Sequence, residues 1–294
     1  MTNLLRTFGV AATRRRFCLG LVAAAAAPGP ARAAAADRLA ALERSAGGRL
    51  GVAVLDTSSG ETLLRRADER FPMCSTFKLI AAAAVLKRVD AGQETLTRFV
   101  PYRQADLLGY APVTKAQVDA GGMTLADLCA AAIDWSDNTA ANLILDAIGG
   151  PAGFTAFARL LGDSVTRLDR NEPTLNTAIP GDPRDTTTPL AMARDLQAVL
   201  LGDVLSEESR RRLEAWLIAD RVGDKRLRAG LPPDWGIGDK TGSGDHGTAN
   251  TIAILRPPNR APLLAAVYYT EGPDSMDARN AVNRQVGEIV AATF

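Results

Sequence analysis

Apolar positions follow three regimes along the chain. ADRLAALERSAG, Ala36 to Gly47, spaces Leu39 and Leu42 as a helix does and is stopped by Gly47-Gly48. GVAVLDTSSGETLLRR, Gly51 to Arg66, then sets two β-prone runs around a Thr-Ser-Ser-Gly turn, the pattern of a hairpin. From Ser75 to about Ala219 the period changes to 3.6. AAAAVLKRVDAG, LADLCAAAI, AANLILDAI, GFTAFARLLG, PLAMARDLQAVLLG and SEESRRRLEAWLIAD each predict an Ala/Leu-rich helix. Beyond Pro233 the β pattern returns: GIGDKTGSG, TANTIAILRP and PLLAAVYYTEG predict three strands. The chain closes with DARNAVNRQVGEIVAATF, a helix with Val282, Val286, Ile289 and Val290 on one face.

This order predicts an α+β fold in which the chain's two ends complete one layer. The expected architecture is a five-stranded antiparallel sheet with the terminal helices packed on it, built from residues 37–72 and 220–294. An all-helical domain, residues 73–219, is inserted between them. There are no internal repeats. One stretch fits neither period: RLDRNEPTLNTAIPGDPRDTTTP, residues 167–189, with prolines at 173, 180, 183 and 189. A long segment without secondary structure in a compact chain is more often functional than incidental. Its Leu168, Leu175 and Ile179 favour a packed Ω-type loop.

With 294 residues, 47% of them hydrophobic, the chain can bury a large core; its formal net charge of +1 argues against a nucleic-acid surface. The one histidine, His246, excludes a His-rich metal site and reads as an exposed loop residue; no cofactor is expected. At the N-terminus, TRRRFCLG runs into LVAAAAA and is followed by the small-residue pattern Ala31-Arg32-Ala33. A basic region, a short apolar core and such a site predict a cleaved leader over residues 1–33, too short for a membrane anchor. Thr-Arg-Arg-x-Phe resembles the twin-arginine export signal, against an ordinary secretory signal with one more arginine. The expectation is a periplasmic monomer without a later membrane span. Cleavage removes Cys18 and leaves Cys74 and Cys129, expected as buried thiols.

Four short strings carry chemistry. Ser75 and Lys78, spaced i and i+3 at the head of an apolar helix, share a face. A desolvated lysine can lose its proton and serve as base to a serine nucleophile, while the helix N-terminus suits a developing oxyanion. Alone, the pair equally describes a capping serine and a solvated lysine. Trp135-Ser136-Asp137-Asn138 offers a hydroxyl, a carboxylate and an amide able to point into a cleft, or simply a helix cap. Asp239-Lys240-Thr241-Gly242-Ser243-Gly244 ends a strand; Lys240 supplies a cation, Thr241 and Ser243 hydroxyls, and Gly242 lets a ligand backbone approach. A glycine-rich hairpin turn is the ordinary alternative. In the Ω-type loop, Glu172 and Asn176 lie four apart, so a turn begun by Pro173 aims both at one spot, where they could hold and deprotonate a water.

In this order and spacing, S-x-x-K, S-D-N, E-P-T-L-N and K-T-G resemble the class A serine β-lactamases, whose motif set is a known worked case. The likeness extends over nearly the whole chain past the leader, including SDNTAANLIL and AIPGDPRDTTTP. It implies the β-lactamase/transpeptidase-like fold, with residues 167–189 as the Ω loop, an Arg170–Asp185 ion pair and a cis Glu172–Pro173 bond. It implies β-lactam substrates, penicillins and cephalosporins, hydrolysed through an acyl-enzyme on Ser75. Backbone N–H groups of Ser75 and Ser243 would hold the oxyanion, and Ser136 and Lys78 would relay a proton to the leaving nitrogen. Glu172 with Asn176 would activate the releasing water; whether Lys78 or Glu172 takes the first proton stays open. Lys240, Thr241 and Ser243 would bind the substrate carboxylate, Asn138 its side-chain amide, and Tyr110 would wall the entrance.

Three departures stand out. Gly247-Thr248-Ala249-Asn250-Thr251 lacks the arginine some relatives carry there; Arg226 fits the alternative position and is expected to support the carboxylate end. Cys74 resembles a cysteine that some carbapenem-hydrolysing relatives pair where this chain has Gly244, and the partner position for Cys129 is Ala82, so both thiols are expected free. The nearest rival, a penicillin-binding D-alanyl-D-alanine peptidase, lacks the Glu172–Asn176 water site. A non-catalytic β-lactam sensor would need a membrane span.

Overall fold

The computed structural model describes Thr2 and residues 30–294. The expected leader's arginines and apolar run lie outside the described residues. Helix α1, Pro30–Ala46, starts before the predicted Ala36 and includes Ala31-Arg32-Ala33. Strands β1, Arg49–Asp56, and β2, Thr62–Arg65, form the expected hairpin, pairing Val52 with Arg65 through Leu55 with Thr62. Two ribbons of two or three residues per strand were not predicted: β3, Phe71–Pro72, with β6, Thr186–Thr187, and β4, Phe99–Pro101, with β5, Gly122–Thr124. The stretch 73–219 is therefore not all helical. Strands this short show no alternation that a pattern search could use.

The helices of that stretch are α2 Phe77–Asp90, α3 Pro112–Ala116, α4 Leu125–Asp134, α5 Asn138–Ala147, α6 Gly150–Leu160, α7 Pro189–Leu200 and α8 Glu207–Ile218. Strands β7 Gly236–Gly244, β8 Thr248–Arg256 and β9 Leu263–Thr270 follow, then α9 Met276–Ala291. The five long strands form one antiparallel sheet in the order β2-β1-β9-β8-β7, so the chain's two ends meet where β1 pairs along all of β9. The α+β expectation holds.

Strand alternation divides two cores. On β9, Leu264, Ala266 and Tyr268 face the helices around α2, while Leu263, Ala265, Val267 and Tyr269 face α1 and α9. The second core holds Leu39 and Leu42 of α1 with Val282, Val286, Ile289 and Val290 of α9, the face the sequence marked. Helix α2 is buried from Phe77 to Leu86 and turns basic at Lys87 and Arg88, where cations complement its C-terminal dipole. Each fully buried Leu or Ile there contributes about 1.5–3 kcal/mol of transfer free energy. Because α2 is central to the first core, whatever its first turn carries is held rigidly.

At the helix's N-terminal end, β7 packs against the turn Cys74–Thr76. A Cβ on Gly242 would lie 2.8 Å from the Met73 carbonyl oxygen and 3.2 Å from the Ser75 nitrogen. Gly242 thus admits the protein's own backbone rather than a ligand's, correcting the role expected for it. A Cβ on Gly244 would meet Cys74 Sγ at 2.6 Å, so these two positions do face each other, and Gly244 leaves Cys74 without a partner. Cys74 and Cys129 are both free and fully buried, and burial pushes both thiols far above the ordinary range. No single helix among the described residues is long and apolar enough to cross a membrane. The folded chain lacking its leader should leave a thiol reagent unreacted and titrate two thiols once unfolded in denaturant; two thiols missing from the unfolded titration would contradict this.

Candidate active site

Ser75 sits in the turn Cys74–Thr76, directly ahead of α2, and is 8% exposed. The residue before it, Cys74, has φ +45, a conformation costly for a side chain and most often met where function needs it. In the first turn of α2, Lys78 is fully buried. Its Nζ donates to the Ser136 carbonyl at 2.8 Å and to Asn138 Oδ1 at 2.7 Å, and lies 3.0 Å from Glu172 Oε1. Three N–H groups thus meet three acceptors, with Ser136 Oγ more distant at 3.4 Å. Burial pulls the Lys78 pKa below its ordinary value, and the Glu172 charge pulls the other way.

The Ser75 hydroxyl donates to Glu172 Oε1 at 3.3 Å. Lys78, expected within reach of that hydroxyl, makes no hydrogen bond to it: its donors go to the α4–α5 turn and to the same Glu172 oxygen that Ser75 meets. Glu172 is 4% exposed and reaches Ser75 across the fold. Asn176 Nδ2 donates to its Oε2 at 2.5 Å from the short 3₁₀ turn Thr174–Thr177, the convergence expected from their spacing. The Glu172–Pro173 bond is cis.

Several hydrogen bonds aim this carboxylate. Asn142 on α5 accepts from the Glu172 amide at 2.9 Å and donates back to its carbonyl at 3.0 Å. Arg170 pairs with the fully buried Asp185 at 2.5 Å, and Asp185 Oδ1 also accepts from the Asp169 and Arg170 amides. Asn142 was missed in the sequence although it stands inside SDNTAANLIL; a lone asparagine in a helical pattern gives no cue to what it bonds. Asp137 follows the capping alternative. Its carboxylate turns away from the cleft, accepting from Val113 and Thr114 amides at 3.0 and 2.9 Å and capping α5 at the Ala140 amide. It thereby fixes Ser136, held at φ +57, and Asn138 on either side.

Above these groups opens a cavity of about 340 Å³ lined by Ser75, Tyr110, Ser136, Asn138, Asn176, Val222, Arg226, Thr241 and Ser243. Tyr110 stands at its edge, half exposed. Val222 alone among the lining was not anticipated; a valine beside DKRLR carries no chemical signal. Lys78, Glu172 and Lys240 do not line the cavity but lie beneath its floor, each at most 4% exposed. Lys240 differs from expectation in this: its Nζ donates to the Thr241 carbonyl at 2.9 Å. Burial pushes Lys240 down to about 7, and the neighbouring Asp220 is pushed up to about 7 by the same cause.

Arg226 is almost fully buried. It donates to the Gly242 and Asn250 carbonyls at 2.7 and 2.8 Å, to Asn280 Oδ1 at 3.0 Å and to Ser243 Oγ at 2.6 Å. It reaches the cleft chiefly through Ser243. Two larger grooves, of about 600 and 540 Å³, lie elsewhere; the second holds one hydroxyl–carboxylate pair, Thr124 Oγ1 donating to Asp127 Oδ2 at 2.5 Å, but that pair is exposed, caps α4 and has no lysine in the groove beside it. No cluster of His, Cys, Asp and Glu arranged for a metal ion occurs among the described residues, and His246 is exposed. The site can therefore offer a nucleophile, a buried ion pair beside it and a carboxylate–amide pair suited to hold water.

Known proteins share this arrangement's chain. The family model described as the beta-lactamase enzyme family matches residues 34–294. β-Lactamase CTX-M-8 of Citrobacter amalonaticus is 52% identical over 254 residues, 86% of this chain and 87% of the relative. β-Lactamase OXY-2 of Klebsiella oxytoca is 50% identical over 244 residues, 83% of each. Among solved structures, the ancestral (GNCA) class A β-lactamase superposes with a TM-score of 0.87 at 60% identity, covering 88% of this chain and 100% of that one.

Proposed function

We infer the working role of each residue from one premise: the chain belongs to the class A serine β-lactamases. It hydrolyses the β-lactam amide bond of penicillins and cephalosporins and confers β-lactam resistance. The observation that carries the residue assignment is Glu172 Oε1, which lies 3.3 Å from Ser75 Oγ and 3.0 Å from Lys78 Nζ.

Ser75 attacks the lactam carbonyl, and its proton goes to Glu172, the acceptor its hydroxyl already faces. Lys78, with its donors on three acceptors, is the ammonium that stabilises this carboxylate and steers Ser136. The backbone N–H groups of Ser75 and Ser243 hold the oxyanion, charge that develops only in the transition state. As the C–N bond breaks, Ser136 gives its proton to the leaving nitrogen and is refilled from Lys78, which recovers across their 3.0 Å contact the proton that Glu172 took from Ser75, restoring carboxylate and ammonium. Glu172 then takes a proton from a water held with Asn176; that water frees the acyl group, and the proton passes to Ser75 Oγ as the ester bond breaks. Asn138 meets the substrate amide, Tyr110 walls the entrance, and Thr241 and Ser243 bind the carboxylate over the field of Lys240. Arg226 acts on that carboxylate by orienting the Ser243 hydroxyl.

The sheet-bearing parts 37–72 and 220–294 and the inserted part 73–219 then serve as two walls of the cleft, in a protein that works as a monomer. A leader over residues 1–33 directs it to the periplasm by the twin-arginine route. The family match supports that boundary, since it begins directly after Ala33. Replacing Arg14 and Arg15 by Lys should leave the precursor inside the cell; unimpaired periplasmic activity would contradict the route.

With nitrocefin, the wild type should turn over steadily while Glu172→Ala, acylated more slowly for want of its base, stops at one equivalent of product with an accumulating acyl-enzyme. A single burst from the wild type, or steady turnover by the variant, would contradict the assignment. Arg226→Ala should raise KM about tenfold, the loss of one positioning hydrogen bond, with kcat reduced less; unchanged kinetics on several substrates would remove Arg226 from the carboxylate end.

A further inference from the structure

A pair of acidic residues outside the cleft has no function in the reaction above. Asp163 follows α6 and is 8% exposed; Asp195 lies in α7 and is 1% exposed. Their carboxyls are within hydrogen-bonding reach of each other, and both line a cavity of about 170 Å³. Oδ2 of each is buried and without a partner. Two ionised carboxylates there would repel, and each would hold an unsatisfied buried acceptor. One proton removes both penalties at once. A metal is the poorer candidate, since no group of three suitable ligands occurs among the described residues.

The pair stands at the neck of the Ω loop. Asp163 Oδ1 accepts from the Val165 and Thr166 amides at 2.6 and 3.0 Å, and Arg159 donates to the Asp163 and Thr166 carbonyls at 2.6 and 2.8 Å. Thr166 in turn meets Thr187 through their hydroxyls at 2.6 Å, and the Arg167 amide donates to the Thr186 carbonyl at 3.0 Å. Thr188 caps α7, the helix that carries Asp195. The two strands of the neck are thus fixed to α6 on one side and α7 on the other, with Glu172 a few residues further along.

We propose that Asp195 is a positioning residue: it shares one proton with Asp163, and this bond ties α7 to the neck of the Ω loop so that Glu172 stays aimed during deacylation. Burial, then the Asp163 charge, pushes Asp195 up to about 9, while Arg159 opposes the shift. The other groups facing the pair are Asp68 from the β2–β3 turn, Arg194 on α7 and the Tyr268 hydroxyl from β9. None of the three supplies a cation bonded to either carboxylate.

The proposal rests on Glu172 as the deacylating base, so the test reads the proton and the positioning separately. A carboxyl protonated when folded and ionised when unfolded makes the native state lose stability as pH rises from about 4 towards its folded value of about 9. D195N carries an amide donor in place of the proton and escapes that loss. Its Tm should exceed the wild type's by a margin that widens from about pH 5 to about pH 9; a constant margin overturns the shared proton. With nitrocefin at neutral pH, D195N should keep kcat within about twofold of wild type. D195L, which cannot donate, should lower kcat about tenfold or more and accumulate acyl-enzyme, with acylation slowed less than deacylation. Wild-type kcat in D195L, or acyl-enzyme accumulating equally in D195N, overturns the positioning role. If D195L does not fold, the two D195N measurements still decide. Steady turnover by Glu172→Ala would sink the deacylation reading alone, leaving the widening Tm margin as evidence for the proton.

Discussion

The site depends on an ion pair removed from water. Lys78 and Glu172 lie 3.0 Å apart with neither side chain exposed. Two such charges cost several kcal/mol each to desolvate, and their attraction offsets that cost only if the remaining donors and acceptors are satisfied. Here they are: Ser136 and Asn138 complete the shell of the ammonium, while Ser75 and Asn176 share the carboxylate. The groups that satisfy the pair are also the ones the proposed reaction uses. A lysine at the head of an apolar helix is tolerated because its partners are brought from a distant turn and a distant loop.

That arrangement explains how much of the fold serves one carboxylate. Glu172 stands on a segment with little secondary structure of its own, so its position comes from side-chain bonds. The Arg170–Asp185 pair closes the loop, Asn142 grips the Glu172 backbone from α5, and the 3₁₀ turn presents Asn176. On the opposite wall, Gly242 lets β7 approach the Ser75 turn closely, and buried Arg226 holds the strand's carbonyls and the Ser243 hydroxyl. Both walls are anchored to the same helix start.

Long periodic elements were legible in the sequence because burial repeats along them: α2, α9 and the three C-terminal strands fall where their apolar spacing put them. The site was legible through a family resemblance carried by four motifs, each weak alone. What sequence did not reveal was direction. Ser136, Asp137 and Asn138 are adjacent, yet Asp137 turns inward to hold α3 while its neighbours face the cleft. Lys240 sits in the expected motif but lies beneath the floor, since strand alternation and burial decide exposure, and neither is visible from K-T-G alone. Asn142 and the Asp163–Asp195 pair matter through contacts between segments far apart in the chain, which no local pattern encodes.

A crystal structure of the chain with a β-lactam bound covalently to Ser75 tests the account most directly. It should show Glu172 still beside Lys78, with a water bonded to both Glu172 and Asn176 and facing the ester carbonyl. Residues 167–189 swung away, leaving the carboxylate out of reach of that ester, would contradict the account at its root.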